Sequence, residues 1–219
     1  MISTSTEETH AEAAVERIMT DILSGSLPPG HKLRIEQIKQ RYGIGASPLR
    51  EALARLTSLG FVTNETRRGF RVVTMSQEDL EDITRLRRLV ELELLREAIS
   101  EGDDEWEVRI VSSFARLSRT VARAKADKTN FISAIEPAHK LFHTALVGHT
   151  RSRRLLDLQG LLYDQASRYR FKMLHQIDNL DEFLETHERL MRTILNRDAT
   201  AAAALADHIE ITPRMVFES

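Results

Sequence analysis

Residues that interrupt helices are frequent in one region of the chain and rare in the next, and they divide the chain into two regions. Between Gly25 and Thr74, glycine and proline recur at short intervals, so every apolar segment there is short. Glycine supplies turns, and proline cannot continue the hydrogen-bonded ladder of a helix. Beyond Thr74 the apolar segments are long and rich in Leu, Ala, Arg and Glu, which favour helices. We therefore predict a mainly α fold with two domains, 1–75 and 76–219.

The first region has the pattern of a winged helix-turn-helix. The spacing of its apolar residues predicts three helices, at 8–23, 34–42 and 47–59. Gly43 allows a tight turn between the second and third helices, because glycine adopts positive φ at no steric cost. Ser47, followed by Pro48, suits the N-cap of the third helix. Two short β segments, 61–63 and 70–73, flank a polar tip and predict a hairpin.

The second region has no strand-like pattern. Its apolar periodicity predicts helices at about 77–100, 104–126, 130–148, 151–176, 180–196 and 199–216. Helices joined by such short loops pack antiparallel to their neighbours in a bundle. The prediction for this region is therefore an antiparallel six-helix bundle.

Charge is distributed unevenly between the two regions. Residues 26–74 hold nine Lys and Arg against three acids, a net +6, whereas the whole chain carries −2 and the remainder therefore −8. A basic block within an acidic chain is typical of a module that binds a polyanion. On charge alone, a solvated charged face explains the block equally well.

A winged helix-turn-helix inserts the second helix of the motif into the major groove of DNA. In that helix Leu49 would face the core, whereas Ser47 and Arg50 would face outward, where Arg50 can bond guanine or a phosphate. A salt bridge with Glu51 is the alternative role for Arg50. The wing tip adds two arginines beside a glycine. The predicted DNA-binding residues are Arg34, Ser47, Pro48, Arg50, Arg67, Arg68 and Gly69.

Residues 22–73 resemble the N-terminal domain of the GntR family of regulators. The resemblance rests on the LPPG turn, the PLREAL helix, the LGFV segment that follows it and the glycine of the wing. Family members usually carry polar residues, often an arginine, where this chain has Gly45 and Ala46. The resemblance implies a DNA-binding regulator that lacks one base or phosphate contact and whose operator departs from the usual half-site of the family.

Four of the eight histidines can assemble a metal site. His139 and His143 are four residues apart in one predicted helix, so their imidazoles project from the same face. His187 and His208 lie in the last two predicted helices. Imidazoles from several helices of a bundle suit Zn, Ni, Cu or Fe rather than Mg or Ca. Spacing alone leaves open a surface pair, or histidines whose hydrogen bonds are satisfied in the core.

The second region is similar to the all-helical FCD ligand domain of FadR-type GntR regulators, in its metal-containing group. The segments ITRLRRLVELELLREAI, HKLFHTAL, THERLMRTIL and DHI carry this resemblance over about residues 78–210. That group holds a divalent metal through an Asp-x3-His pair and two later histidines. The residues that match its three histidines are His143, His187 and His208.

The position of the aspartate in that group is occupied by His139 in this chain. His139 keeps the spacing and would supply a fourth nitrogen, which favours Zn or Ni as the metal. Glu136, one turn earlier on the same face, would supply a carboxylate instead. A variant without metal is the third alternative.

A metal with open coordination positions can bind the carboxylate of a small organic acid, and an arginine can complete the clamp. Arg87 is the predicted effector-binding residue, with Arg85 and Arg170 as weaker candidates. Each of them has acidic neighbours that could pair with it instead. We expect a homodimer that reads a palindromic double-stranded operator. The resemblance implies a repressor that is released by its ligand.

Two other classes of protein compete with this interpretation. The first is a metal-dependent hydrolase, but the chain contains no HExxH, GxSxG or phosphate-loop motif. A hydrolase would also leave the winged helix unexplained, so we expect no enzyme. A ligand-independent DNA-binding protein would use the winged helix alone. The lack of cysteine excludes disulfides and thiolate zinc sites. No secretory signal or apolar run of roughly 20 residues is present, so we expect a cytoplasmic protein without a membrane partner.

Overall fold

The computed structural model describes residues 3–65, 69–177 and 179–217. The chain divides into two compact units, Met1–Ser76 and Gln77–Ser219. This division falls one residue beyond the boundary predicted from the sequence. The mainly α fold is confirmed, with a winged helix-turn-helix followed by a helical bundle. Every helix of the described residues is too short or too polar to span a lipid bilayer.

The N-terminal unit combines three helices with a small sheet. Its elements are α1 (Ser3–Leu23), β1 (Lys32–Leu33), α2 (Ile35–Tyr42), α3 (Ala46–Ser58), β2 (Val62–Glu65) and β3 (Gly69–Val72). The strands are antiparallel in the order β1-β3-β2, and Arg71 of β3 lies opposite both Lys32 and Thr63. The hairpin of β2 and β3 was predicted, whereas β1 was not, because two residues are too few to show a strand period.

The core of this unit orients α3. Leu49, Leu53 and Leu56 on one face of the helix are fully buried, as are Ile18 of α1 and Phe61. Burying a leucine or isoleucine side chain stabilises a fold by roughly 1.5–3 kcal/mol, so this apolar stripe fixes which face of α3 turns outward.

The turn between α2 and α3 depends on Gly43. This residue has φ 66° and ψ 32°, and its N–H donates to the carbonyl oxygen of Lys39 at 2.9 Å. A left-handed residue that closes a helix in this way is most often glycine, because any Cβ would be strained there. The predicted tight turn is therefore present.

The third helix begins one residue earlier than predicted, and Ser47 is not its N-cap. Gly45 has extended backbone and precedes α3, which starts at Ala46 without a side-chain cap bond. The N–H of Leu49 donates to the carbonyl oxygen of Gly45 at 3.2 Å. Pro48 is thus the third helical residue, where a missing N–H costs no intrahelical bond. The prediction was wrong because proline fits anywhere in the first turn.

The C-terminal unit is the expected helical bundle, but its described residues form seven helices where six were predicted. Its helices are α4 (Gln77–Glu101), α5 (Asp104–Ala126), α6 (Lys128–Val147), α7 (Arg153–Gln176), α8 (Leu180–Leu195), α9 (Ala201–Ile209) and α10 (Ile211–Phe217). The sixth predicted helix corresponds to α9 and α10, two consecutive segments that meet at Glu210.

The start of α5 is held by one tightly packed corner. The Asp103 carboxylate accepts from the backbone N–H of Trp106 at 2.8 Å and caps the helix. The Trp106 ring is fully buried, and its Nε1–H donates to the carbonyl oxygen of Ala145 in α6 at 3.0 Å. Gly102 lies directly against this ring, so the corner has no room for a larger residue.

Gly102→Ala should destabilise the bundle, because the new Cβ would collide with Trp106 and with the carbonyl oxygen of Ala98. Overpacking of this kind costs ~1–3 kcal/mol. Gly160→Ala is the matched control, since a Cβ there meets nothing within 4 Å and α7 gains a better helix former. Urea unfolding, followed by the fluorescence of the single tryptophan, should give a lower midpoint for the first variant only. Equal midpoints would contradict the expectation.

Candidate metal centre and nucleic-acid interface

The outward face of α3 carries the residues that were predicted to contact DNA. Ser47 and Arg50 are exposed and Pro48 is partly buried, one residue before the buried Leu49. Arg34 is also exposed and directly precedes α2. Arg34 thus lies at the start of α2. The other three lie near the start of α3, where Ser47 and Arg50 face outward.

Of the three residues predicted at the tip of the wing, the structure describes one. Gly69 opens β3, is exposed and has φ 82°, a backbone conformation that L side chains rarely adopt. The other two predicted wing residues, Arg67 and Arg68, lie outside the described residues.

Ion pairs separate the basic residues of the N-terminal unit into two groups. Arg41 lies 2.6 Å from Asp21, and Arg55 lies 3.6 Å from Glu12. Among the described side chains of residues 10–65 and 69–76, Arg50 has no ion-pair partner, Glu51 included. The salt bridge with Glu51 is therefore absent, and the Arg50 guanidinium is free to meet a phosphate or a guanine edge. Sequence alone could not separate these groups, because pairing depends on which helices meet.

The four histidines predicted as metal ligands meet in the bundle. His139 and His143 project from α6, one helical turn apart, and are joined by His187 from α8 and His208 from α9. One ring nitrogen of each lies within 4.8 Å of those of the other three. The Nε2 atom of His139 is 2.7 Å from that of His187 and 2.9 Å from that of His143. The Nε2 atoms of His143 and His208 are 3.2 Å apart.

The outward nitrogens of two of these rings have protein partners. His187 Nδ1 lies 2.6 Å from the carbonyl oxygen of Phe183. A carbonyl can only accept, so this nitrogen carries the proton and the Nε2 lone pair points into the cluster. The hydroxyl of Tyr163 lies 2.7 Å from His139 Nδ1. Such outer partners set the tautomer and orientation of histidines that ligate a metal.

Burial keeps the cluster uncharged. It lowers the pKa of His139, His143 and His208 well below the usual value, and neighbouring imidazoles and arginines lower it further. Burial lowers the pKa of His187 to about 4, although the bond to the Phe183 carbonyl opposes the shift. Neutral imidazoles are the form that binds metals.

The donor set fits a divalent transition metal. Lone pairs that converge on one buried point repel each other unless a cation or a shared proton lies between them. Each Nε2 offers either one proton or one lone pair. The Nε2 atoms of His139 and His143 each lie within 3.2 Å of two others, so hydrogen bonds cannot pair every contact. Nδ1 of His143 and of His208 has no hydrogen-bond partner among the described residues. Four imidazole nitrogens suit the first-row metals that prefer nitrogen ligands.

A cavity of about 500 Å³ opens beside the cluster. Three of the four histidines line it, together with Arg170 of α7. Its other polar lining residues are Asn179, Glu182, Thr186 and Thr212. Its apolar wall consists of Met173, Ile177, Phe183, Ile211 and Met215. The cavity therefore joins a polar end at the imidazoles to an apolar wall, which is the usual composition of a small-molecule site.

Arg170 is the arginine that lines this cavity. It donates to the Glu136 carboxylate at 2.7 and 3.1 Å and to the carbonyl oxygen of Tyr163 at 2.9 Å. Burial is the largest single influence and works against its charge, but Glu136, Tyr163 and Glu91 together outweigh burial and raise the pKa of Arg170 above its usual value. Its Nη1 atom is buried without a hydrogen-bond partner among the described residues.

The arginine first predicted to bind an effector has a different position. Arg87 is buried in α4, donates to Glu91 at 2.8 Å and does not line the cavity described above. A buried guanidinium needs a carboxylate partner, and Glu91 lies one helical turn away. Arg85 is exposed and pairs with Asp82 at 2.7 Å. Of the three candidates, only Arg170 reaches the cavity.

Glu136, the alternative to His139 as a ligand, faces a different atom. Its carboxylate binds Arg170 and lies 3.7 Å from Nδ1 of His139, the nitrogen that points away from the cluster.

Sequence reasoning missed Tyr163. It lies seven residues before Arg170, on the same face of α7, and both side chains are buried beside the histidines. Polar residues at helical spacing on a buried face were the available signal.

Removal of the Glu136 carboxylate should destabilise the bundle, because Arg170 would be left buried without its counter-charge. Breaking a buried pair in this way costs roughly 3–5 kcal/mol. The control is Asp157→Ala, which removes an exposed pair with Arg153 worth roughly 0–1 kcal/mol. Tryptophan fluorescence should report a much lower urea midpoint for Glu136→Ala than for the control. A similar small shift for both variants would refute the role assigned to Glu136.

Comparisons with known proteins agree with both halves of the structure. The model of bacterial regulatory proteins of the gntR family matches residues 10–72, and that of the FCD domain matches residues 82–210. The HTH-type transcriptional repressor GlaR of Escherichia coli K12 is 34% identical over 205 residues, which are 92% of each chain. The HTH-type transcriptional regulator BphR of Paraburkholderia xenovorans LB400 is 36% identical over 200 residues, 91% of this chain and 82% of BphR.

A crystal structure of a GntR regulator from Rhodococcus sp. RHA1 shares the fold. It superposes with a TM-score of 0.77 at 19% identity and covers 96% of this chain and 99% of its own. The family and these relatives are transcription regulators and not enzymes. The chain belongs to the GntR family of DNA-binding transcription regulators, in the branch whose helical domain is an FCD domain.

Proposed function

We propose that this regulator is a repressor whose affinity for its operator is controlled by a small organic acid bound at a metal site in the FCD domain. The observation that carries the proposal is the convergence of four imidazole nitrogens, three of them from buried histidines and one from the partly buried His208, at the polar end of a cavity. The named repressor GlaR, which is similar over nearly the whole chain, supports the direction of control. A regulator of this kind acts where the DNA is, which we take to be the cytoplasm.

The proposed metal ligands are the four clustered histidines, with His139 rather than Glu136 as the fourth. The Glu136 carboxylate is engaged by Arg170 and lies nearer to the outward nitrogen of His139. A set of four neutral nitrogens favours Zn or Ni over harder metals such as Mg. The bound metal would supply a positive charge and a Lewis acid at the end of the cavity.

The proposed effector is a carboxylate with an apolar body. Arg170 has one guanidinium nitrogen without a partner among the described residues, and it lines the same cavity as the histidines. A guanidinium binds a carboxylate through charge-assisted hydrogen bonds. Met173, Ile177 and Met215 form an apolar wall that suits the rest of such a molecule. We therefore assign to Arg170 the effector contact first predicted for Arg87.

The proposed route of control runs along α7 to α4. The hydroxyl of Tyr169, adjacent to Arg170, donates to the Asp79 carboxylate at 2.6 Å, near the start of α4. The winged helix immediately precedes α4 in the chain. A ligand that shifts α7 can thus change the packing of the helix that leads to the DNA-reading unit. Coupling between two sites in proteins is typically about 1–3 kcal/mol.

A homodimer completes the proposal. Two copies related by a two-fold axis would place two copies of α3 on a palindromic double-stranded operator, with half-sites separated by about one helical turn of DNA or a multiple of it.

Arg50→Ala should weaken binding to DNA by about tenfold or more, because an arginine that bonds guanine contributes ~1–3 kcal/mol. The target can be a duplex selected by the full-length protein from a random library. Arg55→Ala is the matched control, since Arg55 lies on the same helix but pairs with Glu12. Fluorescence anisotropy measures both affinities. Equal affinities for the two variants would remove α3 as the reading helix.

His187→Ala should lose bound metal, because it deletes one of the four converging nitrogens. The control is His175→Ala, whose exposed imidazole bonds the carbonyl of Phe171 outside the cluster. Mass spectrometry should find stoichiometric metal in the wild type and the control but not in His187→Ala. Stoichiometric metal in His187→Ala would refute the site.

The same proteins test the effector. With Zn²⁺ bound, succinate or benzoate should weaken DNA binding of the wild type and the control by about 5–150-fold. His187→Ala should bind DNA but should not respond to either acid. A metal-loaded wild type that ignores both acids and carries no co-purifying acid would instead support a ligand-independent DNA-binding protein.

A further inference from the structure

One face of α4 is exposed although it carries large apolar side chains. Leu89 is 67% exposed and Leu86 is 46% exposed, near the middle of the helix. Leu92 beside them is partly buried. Isolated exposed leucines are common, but a group of three on one helix face indicates a surface that another molecule covers.

The charged residues around these leucines have an ordered arrangement. At about 100° per residue, a strip that lies within about 60° on either side of Leu89 can be drawn along the helix. Between residues 82 and 96 its members are Asp82, Arg85, Leu86, Leu89, Leu92, Glu93 and Arg96. Two ion pairs within the helix flank the leucines, Asp82 with Arg85 at 2.7 Å and Glu93 with Arg96 at 2.7 Å. The first pair runs from acid to base along the chain, and so does the second.

We propose that this strip, the α4 strip, packs antiparallel against the α4 strip of a second copy, with the two-fold axis at Leu89. The inference rests on the homodimer of the proposed function and names its interface. An antiparallel pair centred on Leu89 places each residue opposite the partner residue that is equally far from Leu89 on the other side. Leu89 then meets the partner's Leu89, and Leu86 meets the partner's Leu92.

Charge complementarity is the reason for choosing a second copy as the occupant. In this register Arg85 lies opposite the partner's Glu93, and Asp82 lies opposite the partner's Arg96. Each ion pair within one helix thus faces one of reversed polarity, and the four charges form an alternating network. The two-fold axis produces this network twice. A parallel pairing would place Arg85 against the partner's Arg85, which like-charge repulsion disfavours.

The shape of the surface agrees with this register. A groove of about 730 Å³ runs beside α4, and its lining includes Leu89 and Leu92 of α4 and Ala202 and Pro213 of the last two helices. Leu86 does not line the groove but projects from the strip. Because Leu86 lies opposite the partner's Leu92, the projecting side chain of each copy would enter the groove of the other. The surface is therefore complementary to itself, as an isologous interface requires.

A cysteine on the two-fold axis tests the register directly. The chain contains no cysteine, so Leu89→Cys would place a single thiol opposite its own copy. Treatment of the full-length protein with diamide should convert most of it into a disulfide-linked dimer that still binds DNA. Val108→Cys on α5 is the matched control, since Val108 is 65% exposed and lies outside the strip, and it should stay monomeric on a denaturing gel.

Charge reversal tests the pairing between copies. Arg85→Glu should raise the dissociation constant of the dimer by about tenfold or more, measured by analytical ultracentrifugation, because two like-charge contacts replace two attractive ones. Adding Glu93→Arg should restore most of the affinity, since the reversed charges again face each other across the axis. Within one helix the double variant is worse, because each reversed charge then lies one turn from a like charge, that of Asp82 or of Arg96. Rescue therefore reports the contact between copies.

The outcomes separate this inference from the proposed function. A wild-type dimer in which Leu89→Cys does not cross-link and Arg85→Glu has no effect would overturn the α4 strip and leave the dimer intact. A wild type that binds the selected duplex as a monomer would overturn both. Cross-linking at Leu89 together with rescue by Glu93→Arg would establish the strip as the interface.

Discussion

The helical unit depends on one constraint, which is that polar groups buried inside an apolar bundle must be paired. The charges of Arg170 and Glu136 are paired between α7 and α6, and those of Arg87 and Glu91 are paired within α4. Charges removed from water are tolerated only where such partners exist, and loss of one partner costs several kcal/mol. The positions of α6 and α7 are thus fixed by a charge pair as well as by apolar packing.

The histidine cluster meets the same constraint in a different way. Its rings are neutral because burial lowers each pKa, and His187 commits its proton to the carbonyl of Phe183. The ring nitrogens that remain crowd together, and Nδ1 of His143 and of His208 has no hydrogen-bond partner among the described residues, so unsatisfied polar atoms are concentrated in this cluster. A cation resolves that conflict, and a carboxylate in the adjoining cavity would then meet both the cation and Arg170. The proposed effector site therefore lies beside the proposed metal site, where the polar groups that still lack partners are found.

Much of the fold could be predicted because it follows from local chemistry. Gly43 ends a helix in any context that needs positive φ, and the leucines of α3 repeat at helical spacing. The four histidines could also be found, since spacing pointed to His139 and His143 and the resemblance matched His143, His187 and His208. The choice between Arg87 and Arg170 could not be made from sequence, because both have acidic neighbours. Only the packing of α6 against α7 brings Glu136 and the cavity to Arg170.

The helix α4 connects these separate features through its different faces. Its first turn is held by Tyr169 of α7, its inner face buries Arg87, and its outer face carries Leu89. A change at Arg170 can reach α4 through the adjacent Tyr169. Any displacement of α4 that follows would act at the proposed interface between copies as well as at the end of the DNA-reading unit, which directly precedes α4 in the chain. In two copies joined along α4, ligand binding to one copy would therefore affect the other. This coupling gives a reason for the apolar residues on the outer face of α4.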